Sequence, residues 1–442
     1  MTMNNNRRDF LKISAAAGVG FWASNMQAAE SKSPNEQINF ACVGVQGKGS
    51  SDSRDASRAG NIVAICDIDD NNLDKAAAQF EGAKKYNDYR KMFEEMDKEI
   101  DAVTVSTPDH CHAAVSAMAM KMGKHCFTQK PLTRSIYEAR RLGEIARENK
   151  VVTQMGNQGT SHSGLRRAVE VIQAGAIGNV LEVHVWTNRP VWPQGQGFAD
   201  VEPTPENVHW DNFIGPAKLI DYRPNIHPFK WRGYWEFGTG ALGDMACHTA
   251  NMPYMALQLR DPVSVEAVTS GHNGVTYPKW STITFDFPEL DGRAACKMMW
   301  YDGGKMPDNE LLKDVPRDGE GRVASSGCLL VGDKGRLYSS SDYGASFHLM
   351  PEADFKDYDG PAKTIARSPG HFKEFAEAIK GGPEPFSNFP NYAGPLTETI
   401  LLGNLSVWAG KKIDWDAKNM VAKNAPEVAE IIKPTYRDGY VL

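Results

Sequence analysis

The sequence lacks the features that mark disulfide-bonded, zinc-ribbon, membrane-spanning and nucleic-acid-binding chains. Its 442 residues include seven cysteines, and none of them form a Cys-x-x-Cys pair, so neither a disulfide framework nor a zinc ribbon is indicated. The net charge of −6 provides no broad cationic field for nucleic acid or an anionic membrane. Beyond the N-terminal segment, no apolar run reaches the roughly 18 residues that cross a bilayer. A hydrophobic fraction of 41% and a charged fraction of 24% instead indicate an ordinary globular protein.

The N-terminus has the pattern of an export signal. Residues 6–12 read NRRDFLK, and a stretch rich in small and apolar residues follows over 13–23, ahead of Ala28 and Ala29. A paired arginine before a modest hydrophobic segment predicts a twin-arginine signal over residues 1–34; a short amphipathic helix is the alternative. The prediction implies the Tat export machinery as a partner and a periplasmic location. Because this route carries folded proteins, we expect any cofactor to be bound tightly before export.

Two hydrophobic patterns predict an α/β chain with two domains. Over residues 35–155, short continuous apolar runs alternate with helical segments, which indicates a parallel sheet covered on both faces. Over residues 156–442, runs with a period of two, such as 281–287 and 294–301, indicate a mainly antiparallel sheet. The last helices of this second domain could pack back on the first.

A glycine-rich turn follows the first strand and opens a helix. Residues 44–49 read GVQGKG, so that Gln46 replaces the second glycine of the dinucleotide fingerprint GxGxxG. Glycines there let the backbone approach a pyrophosphate, which a helix N-terminus favours. Asp67 ends the second strand, 23 residues after Gly44 and near the ~20-residue spacing of a ribose-binding carboxylate, which would repel a 2′-phosphate. The pattern predicts NAD rather than NADP; a plain strand-to-helix turn is the alternative. The predicted cofactor residues here are Gly44, Gln46, Gly47, Lys48, Gly49 and Asp67.

Four later segments complete a recognisable set. They are residues 107–112 (TPDHCH), 129–131 (QKP), 156–158 (GNQ) and 243–248 (GDMACH). In this order, together with the glycine-rich turn, they resemble the glucose–fructose oxidoreductase, inositol dehydrogenase and MocA (Gfo/Idh/MocA) family over almost the whole chain after the signal. The resemblance implies an N-terminal Rossmann domain, an open C-terminal sheet used for homodimer or homotetramer formation, and hydride transfer between a nicotinamide and a sugar or polyol carbon. It also places Thr107, Pro108, His112, Lys130 and Gln158 near the cofactor.

The residues themselves suggest how an alcohol would be oxidised. Asp244 and His248 are four apart, so on a helix they share one face. A neutral imidazole suits removal of a hydroxyl proton, and a nearby ammonium stabilises the developing alkoxide. We therefore predict His248 as general base, Lys130 as electrostatic partner and Asp244 as substrate anchor; a helix-capping Asp244 and a core His248 are the alternative. Gln129 stands where the family more often has glutamate, which removes a negative charge beside Lys130.

The run from Asp109 to His112 invites a metal interpretation, which we do not favour. These residues are adjacent, so their side chains diverge, and a first-row metal site normally recruits distant ligands as well. We predict no metal, and the resemblance places this loop near the nicotinamide.

An aromatic-rich segment over residues 222–237 interleaves aromatic and charged side chains. Aromatic faces beside hydrogen-bonding groups suit the C–H faces and hydroxyls of sugars, although a packed loop is the alternative. The predicted substrate residues are Asn157, Tyr222, His227, Trp231, Arg232, Tyr234 and Trp235.

Three functions compete on these observations. The first is an exported, NAD-dependent sugar or polyol oxidoreductase. The second is a glycosidase or lyase that oxidises a sugar transiently, eliminates the glycosidic group and re-reduces it; this needs a further acid or base, for which His227, Tyr234 and Glu236 are candidates. The third is a carbohydrate-binding protein without turnover, ranked last because the acid/base set is complete.

Overall fold

The structure, a computed structural model, describes residues 37–290 and 292–442. The predicted export signal over residues 1–34 therefore lies outside the described residues. In the part of the chain that is described, no helix is long and apolar enough to cross a membrane. All seven cysteines are buried free thiols, as the apolar surroundings of most of them indicate in the sequence.

The first half of the chain forms a six-stranded parallel sheet with the strand order β3-β2-β1-β4-β5-β6. Its strands are β1 (Ile38–Val43), β2 (Gly60–Cys66), β3 (Lys84–Tyr86), β4 (Ala102–Val105), β5 (His125–Thr128) and β6 (Thr153–Met155). The helices between them are α1 (Lys48–Ala59), α2 (Asp70–Gln79), α3 (Tyr89–Met96), α4 (Asp109–Lys121) and α5 (Ile136–Asn149). The central strands β1 and β4 are almost wholly buried, which explains their continuous apolar sequences and confirms the predicted parallel sheet.

The register of this sheet aligns the carboxyl ends of its strands. Val43 pairs with Cys66 on one side and with Val105 on the other, and Thr128 pairs with Met155. Each sequence motif of the first half comes directly after one of these strand ends. The motifs are therefore brought to one edge of the sheet, the edge at which parallel α/β proteins bind ligands.

The second half forms a nine-stranded mixed sheet with the order β13-β12-β11-β7-β10-β9-β8-β14-β15. Its strands are β7 (Val180–Trp186), β8 (Ser264–Thr269), β9 (Ser281–Phe287), β10 (Cys296–Tyr301), β11 (Gly327–Gly332), β12 (Arg336–Ser339), β13 (His348–Met350), β14 (Ile413–Asp416) and β15 (Val421–Ala422). Strands β7 and β10 run parallel, and the other pairs are antiparallel. The prediction of a mainly antiparallel sheet is confirmed.

The helices of the second half pack partly on the strands of this sheet and partly on the helices of the first half. They are α6 (Ser163–Gln173), α7 (Trp210–Ile214), α8 (Gly240–Thr249), α9 (Asn251–Leu257), α10 (His371–Ile379), α11 (Gly394–Ala409) and α12 (Ala429–Ile432). Helix α11 is buried on nearly all sides, as its apolar sequence requires, and it packs against α5, α8 and β8. Residues from both halves, such as Val103 and Phe285, belong to one continuous hydrophobic core.

Residues 188–239, which we call the strap segment, cross the carboxyl edge of the first sheet. Backbone pairing joins the strap segment to this edge, since the His209 N–H donates to the Ile68 carbonyl and the Asp70 N–H donates to the Asn207 carbonyl. A small aromatic cluster that includes Trp210, Phe213 and Phe237 holds the strap segment together. The strap segment therefore covers the strand ends that the sequence motifs follow.

Candidate active site

A cavity of about 630 Å³ lies between the carboxyl edge of the first sheet, the strap segment and helix α8. Its volume falls in the range of small-molecule and cofactor sites, roughly 300–1,000 Å³. The glycine-rich turn lines one end of the cavity, and Lys130, Asp244 and His248 line another part of it. One cavity therefore holds both the predicted dinucleotide residues and the predicted catalytic residues.

The glycine-rich turn presents backbone and a lysine to this cavity. Gly44, Gln46, Gly47 and Lys48 line it, and α1 begins after Gly47 with no side-chain cap and no acidic residue in its first turn. Gly47 has a φ of 59°, which favours glycine, and an added Cβ there would meet no atom within 4 Å. The uncapped helix N-terminus and the open turn make a suitable place for an anionic phosphate.

Gly44 and Gly49 serve the packing of this turn. Gly44 has a φ of 79°, and a Cβ on it would lie 2.6 Å from the Ser106 carbonyl oxygen. A Cβ on Gly49 would lie 2.0 Å from the Gly44 carbonyl oxygen, so that the helix could not approach the strand. Gly49 does not itself line the cavity, and its predicted contact with the cofactor is therefore revised to close helix–strand packing.

Asp67 stands at the end of β2 with its carboxylate fixed by the backbone. Its two oxygens accept hydrogen bonds from the N–H groups of Val45 and Asp69, each at 3.0 Å. Burial raises the pKa of Asp67, while these hydrogen bonds act in the opposite direction. His227, in the strap segment, lies close enough to interact electrostatically with Asp69 and Asp67. The predicted ribose acid thus lines the cavity in a preset orientation.

The remaining predicted cofactor residues also reach the cavity wall. Thr107 and Pro108 follow β4, Gln158 follows β6, and His112 lies on the first turn of α4. The two ring nitrogens of His112 face the carbonyl oxygens of Thr107 at 2.8 Å and Pro131 at 2.9 Å. Burial lowers the pKa of His112. His112 therefore ties together the turns that follow β4 and β5.

Asp244 is the hub of a compact cluster of charges. The Lys130 ammonium donates to Asp244 Oδ1 at 2.7 Å and to the Asp244 backbone carbonyl at 2.9 Å. Arg232 Nε lies 3.3 Å from the same carboxylate oxygen, and Arg189 Nε lies 3.6 Å from Oδ2. Burial alone would raise the pKa of Asp244, but Lys130 and Arg232 hold it well below its usual range. Asp244 Oδ1 is therefore engaged by Lys130 and Arg232 and orients them, while the role of Asp244 as a substrate anchor stays a prediction.

His248 lies one helical turn after Asp244, on the cavity wall. The side chain is almost fully buried, and Nδ1 has no hydrogen-bond partner among the described residues. Burial, reinforced by the Lys130 charge, lowers the pKa of His248 well below 6.5. The ring of Tyr343 packs edge-on against the imidazole, with centroids 4.9 Å apart. At neutral pH the structure therefore presents a neutral imidazole beside an ammonium group.

The residues of the Asp109–His112 run anchor the strap segment. Asp109 is fully buried and accepts hydrogen bonds from Arg232 at 2.8 Å and from the Thr239 hydroxyl at 2.6 Å. The ring nitrogens of His110 face the carbonyl oxygens of Phe213 and Phe237. Over residues 37–290 and 292–442, no group of three or more His, Cys, Asp or Glu side chains is placed to hold a metal ion.

The aromatic-rich segment divides into residues that face the cavity and residues used for packing. His227, Trp231 and Arg232 line the cavity, and Phe229 and Arg189 join them. The prediction of substrate contact is revised for the residues that do not line it, which are Asn157, Tyr222, Tyr234 and Trp235.

Each of these four has another partner. Tyr222 packs on Trp210, Tyr234 stacks on Phe198, and the Trp235 indole donates to the Thr276 carbonyl. The fourth, Asn157, is fully buried and accepts from the Ser387 hydroxyl.

The sequence did not point to Asp52 or Tyr343, and it indicated Arg189 only as a possible addition to the wall formed by the aromatic-rich segment, not as a partner of Asp244. Asp52 lies four residues after Lys48 on α1, a spacing that allows their observed ion pair and that the sequence does show. Arg189 and Tyr343 come from loops of the second half, and no local pattern links them to Asp244 or His248. Their positions depend on how the two sheets pack.

Two family models match the chain. Residues 17–157 match "Oxidoreductase family, NAD-binding Rossmann fold", and residues 163–311 match "Oxidoreductase family, C-terminal alpha/beta domain", both of the Gfo/Idh/MocA group. Among curated proteins, inositol 2-dehydrogenase from Salmonella typhimurium is 32% identical over 128 residues, which are 28% of this chain and 37% of that protein. Levoglucosan dehydrogenase from Pseudarthrobacter phenanthrenivorans is 25% identical over 179 residues, 40% of this chain and 38% of that protein. The matches thus span less than two fifths of these relatives.

Solved structures share the fold over most of the chain. The WlbA dehydrogenase from Bordetella pertussis, in complex with NADH and UDP-GlcNAcA, has a TM-score of 0.59 and 16% identity, and the match covers 86% of this chain and 99% of that one. A levoglucosan dehydrogenase in complex with NADH and levoglucosan has a TM-score of 0.56 and 18% identity, with 85% and 99% covered. At such identities the similarity concerns the fold alone.

Proposed function

The chain belongs to the Gfo/Idh/MocA family of NAD-binding oxidoreductases, and from this premise we propose that it transfers hydride between NAD and a hydroxyl-bearing carbon of a sugar or polyol. The observation that carries the proposal is the placement of Lys130, Asp244 and His248 in the same cavity as the glycine-rich turn. A neutral base and a fixed cation are the two groups that alcohol oxidation requires.

The residues present fit a nicotinamide dinucleotide. The uncapped N-terminus of α1 and the Lys48 side chain offer positive charge to a pyrophosphate, and the Asp67 carboxylate offers acceptors to ribose hydroxyls. The same carboxylate disfavours a 2′-phosphate, which supports NAD over NADP. When bound, the nicotinamide supplies the site that accepts or gives the hydride.

The side chains of the chain itself manage the proton and the charge. His248 accepts the proton of the substrate hydroxyl during oxidation and returns it during reduction. Lys130 stabilises the oxygen that becomes negative as this proton leaves. Asp244 holds Lys130 and Arg232 in place, so that little reorganisation is needed when the charge develops.

We also propose that the cofactor is held tightly. The strap segment covers the cavity. The Asp109–Arg232 ion pair and the backbone hydrogen bonds at Ile68 and Asp70 hold it at the sheet edge. Release of a dinucleotide would require some of these contacts to open. Tight retention suits an enzyme that works outside the cytoplasm, where free dinucleotide is scarce.

Periplasmic export through the twin-arginine route remains part of the proposal, on the strength of the NRRDFLK sequence at residues 6–12. Replacement of Arg7 and Arg8 by lysine should leave the protein in the cytoplasm, as followed by cell fractionation. Export of the double variant at the wild-type level would contradict the proposal.

A homodimer or homotetramer through the second sheet is proposed from the family resemblance, and analytical ultracentrifugation tests it.

The activity is tested by offering sugars and polyols to the purified protein while the absorbance of reduced nicotinamide is followed. We expect His248→Gln to lower the oxidation rate by at least about 100-fold while dinucleotide binding persists. His348→Gln, at an exposed histidine on β13, is the matched control and should behave as wild type. A His248→Gln variant with wild-type turnover would contradict the assignment of the base.

The same preparation separates the two alternatives. Cleavage of an aryl glycoside without an added electron acceptor would assign the glycosidase or lyase. That reaction needs a further acid or base, and of the three expected residues only His227 lines the cavity, where it interacts electrostatically with Asp69 and Asp67. Sugar binding without turnover in wild type would assign the non-catalytic binding protein.

A further inference from the structure

The buried carboxylate of Asp52 lies beneath the glycine-rich turn and contacts three separate elements. It is 1% exposed on α1 and pairs with the Lys48 ammonium one turn earlier, at 2.5 Å. Its other oxygen accepts from the Ser106 hydroxyl, after β4, and from Gln129 Nε2, after β5, both at 2.8 Å. One carboxylate thus joins the phosphate-facing turn to the segment that carries Lys130.

Asp52 fixes the orientation of the Gln129 amide. A carboxylate only accepts hydrogen bonds, so Gln129 must turn its NH₂ group towards Asp52. The amide packs directly against the neighbouring strand end, where a Cβ on Gly156 would lie 2.4 Å from Gln129 Nε2, so that only glycine leaves space for it. Gln129 is itself buried, and Lys130 follows it directly in the chain.

This contact explains why position 129 carries an amide. A glutamate there would place two buried carboxylates at hydrogen-bonding distance, where like charges repel strongly. Gln129 is uncharged where the family more often has a glutamate, and the negative charge at this place is carried by Asp52 instead. Gln129 does remove one negative charge beside Lys130, but Asp244 pairs with Lys130 and Asp52 lies beside Gln129.

We propose that Asp52 is a positioning residue. Through Gln129 it fixes the turn that places the Lys130 ammonium at the reaction centre, and the same carboxylate holds Lys48 at the glycine-rich turn. The proposal rests on the proposed function for the reaction that Lys130 serves. Positions 52 and 129 act as a reciprocal pair, in which one member carries the charge and the other donates to it.

A charge swap tests this pairing. The variants are Gln129→Glu, the double variant Asp52→Asn/Gln129→Glu, and Asp55→Asn as control, since Asp55 lies on the same helix and pairs with Arg58 at the surface. The melting temperature without cofactor and kcat for the sugar substrate are measured for each. We expect Gln129→Glu to lower both, kcat by at least tenfold. The double variant should recover most of both, because the amide introduced at position 52 donates to the carboxylate introduced at position 129.

The other possible results for the double variant would each contradict part of the proposal. A double variant that recovers the melting temperature but keeps the kcat of Gln129→Glu overturns the positioning role. A double variant that recovers neither overturns the pairing itself. If wild type and Asp55→Asn bind NAD but turn over no sugar, the proposed function fails, and the melting temperatures still decide whether positions 52 and 129 form the pair.

Discussion

At the scale of single residues, the chemistry of this site depends on how burial and one ammonium group set the state of His248. The imidazole lies within a helix whose every residue is buried, so its charged form is disfavoured. Lys130 adds to this effect, and it is itself held by Asp244. The base is therefore ready to accept a proton at a pH where an exposed histidine would be partly charged.

The first prediction concerns the pH dependence of oxidation. A neutral His248 is the active form, so the acidic limb of kcat/KM should lie below the ordinary histidine pKa of about 6.5. Lys130→Met removes a charge that lowers the pKa of His248, so the limb should move to higher pH. Loss of alkoxide stabilisation should also lower kcat by about 100-fold.

The pH–rate profile of Lys130→Met against wild type measures both effects. Lys75→Met, at an exposed lysine on α2, is the control and should leave the profile unchanged. A limb that stays in place or moves to lower pH in Lys130→Met would contradict the account of His248.

The spacing of residues in the sequence predicted some residues of this site but not the others. The four-residue spacing of Asp244 and His248 predicted a shared helix face, and both line the cavity. The sequence did not show which aromatic residues of the strap segment line the cavity and which pack in the interior. An aromatic side chain is suited equally well to packing and to ligand contact. Which role each plays depends on partners distant in sequence, such as Thr276 for Trp235.

At the scale of elements, the strap segment decides how enclosed the cavity is. It has little regular structure, and its place over the sheet edge depends on a few polar anchors, one of which is the ion pair between the fully buried Asp109 and Arg232. A buried charge that loses its partner destabilises the folded state, so we expect substitutions in this pair to lower stability strongly.

Asp109→Asn should therefore loosen the strap segment. The substitution leaves the Arg232 guanidinium buried with a weaker partner, and we expect a loss of about 3 kcal/mol in the free energy of unfolding. NAD should also dissociate faster, which gel filtration of the loaded protein followed by nucleotide assay would show.

Asp211→Asn provides the matched control for this prediction. Asp211 also lies in the strap segment and pairs with Arg437, but its side chain is 69% exposed, so only a small effect on stability is expected. Equal effects of the two substitutions would contradict the anchoring role of Asp109.

The sequence predicted most regular elements and missed those whose register is set by partners. The alternation of short apolar runs with helical segments over residues 35–155 predicted the parallel sheet, and β1, β4 and β5 carry such runs. Strand β3 reads KKY, and β15 has two residues, so neither carries a hydrophobic pattern of its own. They form because β2 and β14 offer free edges for pairing.

At the scale of the whole molecule, buried ion pairs connect segments that are far apart in sequence. Glu170 on α6 accepts hydrogen bonds from the N–H groups of Thr364 and Ile365 and from the guanidinium of Arg367. Its side chain is 1% exposed. The Arg367 hydrogen bond, together with these backbone donors, lowers the pKa of Glu170 from 4.5 to about 2.

This lowered pKa predicts a pH-dependent contribution to stability. The stabilisation by ionised Glu170 should be complete above pH 4.5 and should be lost as the pH falls towards 2. Glu170→Gln should lower the free energy of unfolding by about 2 kcal/mol at pH 7 and by much less near pH 3. Urea denaturation at several pH values measures this.

Glu377→Gln removes an exposed glutamate that pairs loosely with Lys373, and it serves as the control. It should change stability little at any of these pH values. A Glu170→Gln deficit that does not shrink on acidification would contradict the linkage.

The central claim is that a nicotinamide dinucleotide occupies the cavity between the glycine-rich turn and His248. It is tested most directly by denaturing the purified protein and identifying the released small molecules by mass spectrometry. We expect NAD or NADH in nearly equimolar amount with wild type and much less with Asp109→Asn after gel filtration. Wild-type protein that releases no nicotinamide dinucleotide, and takes up none when NAD is added, would contradict the claim.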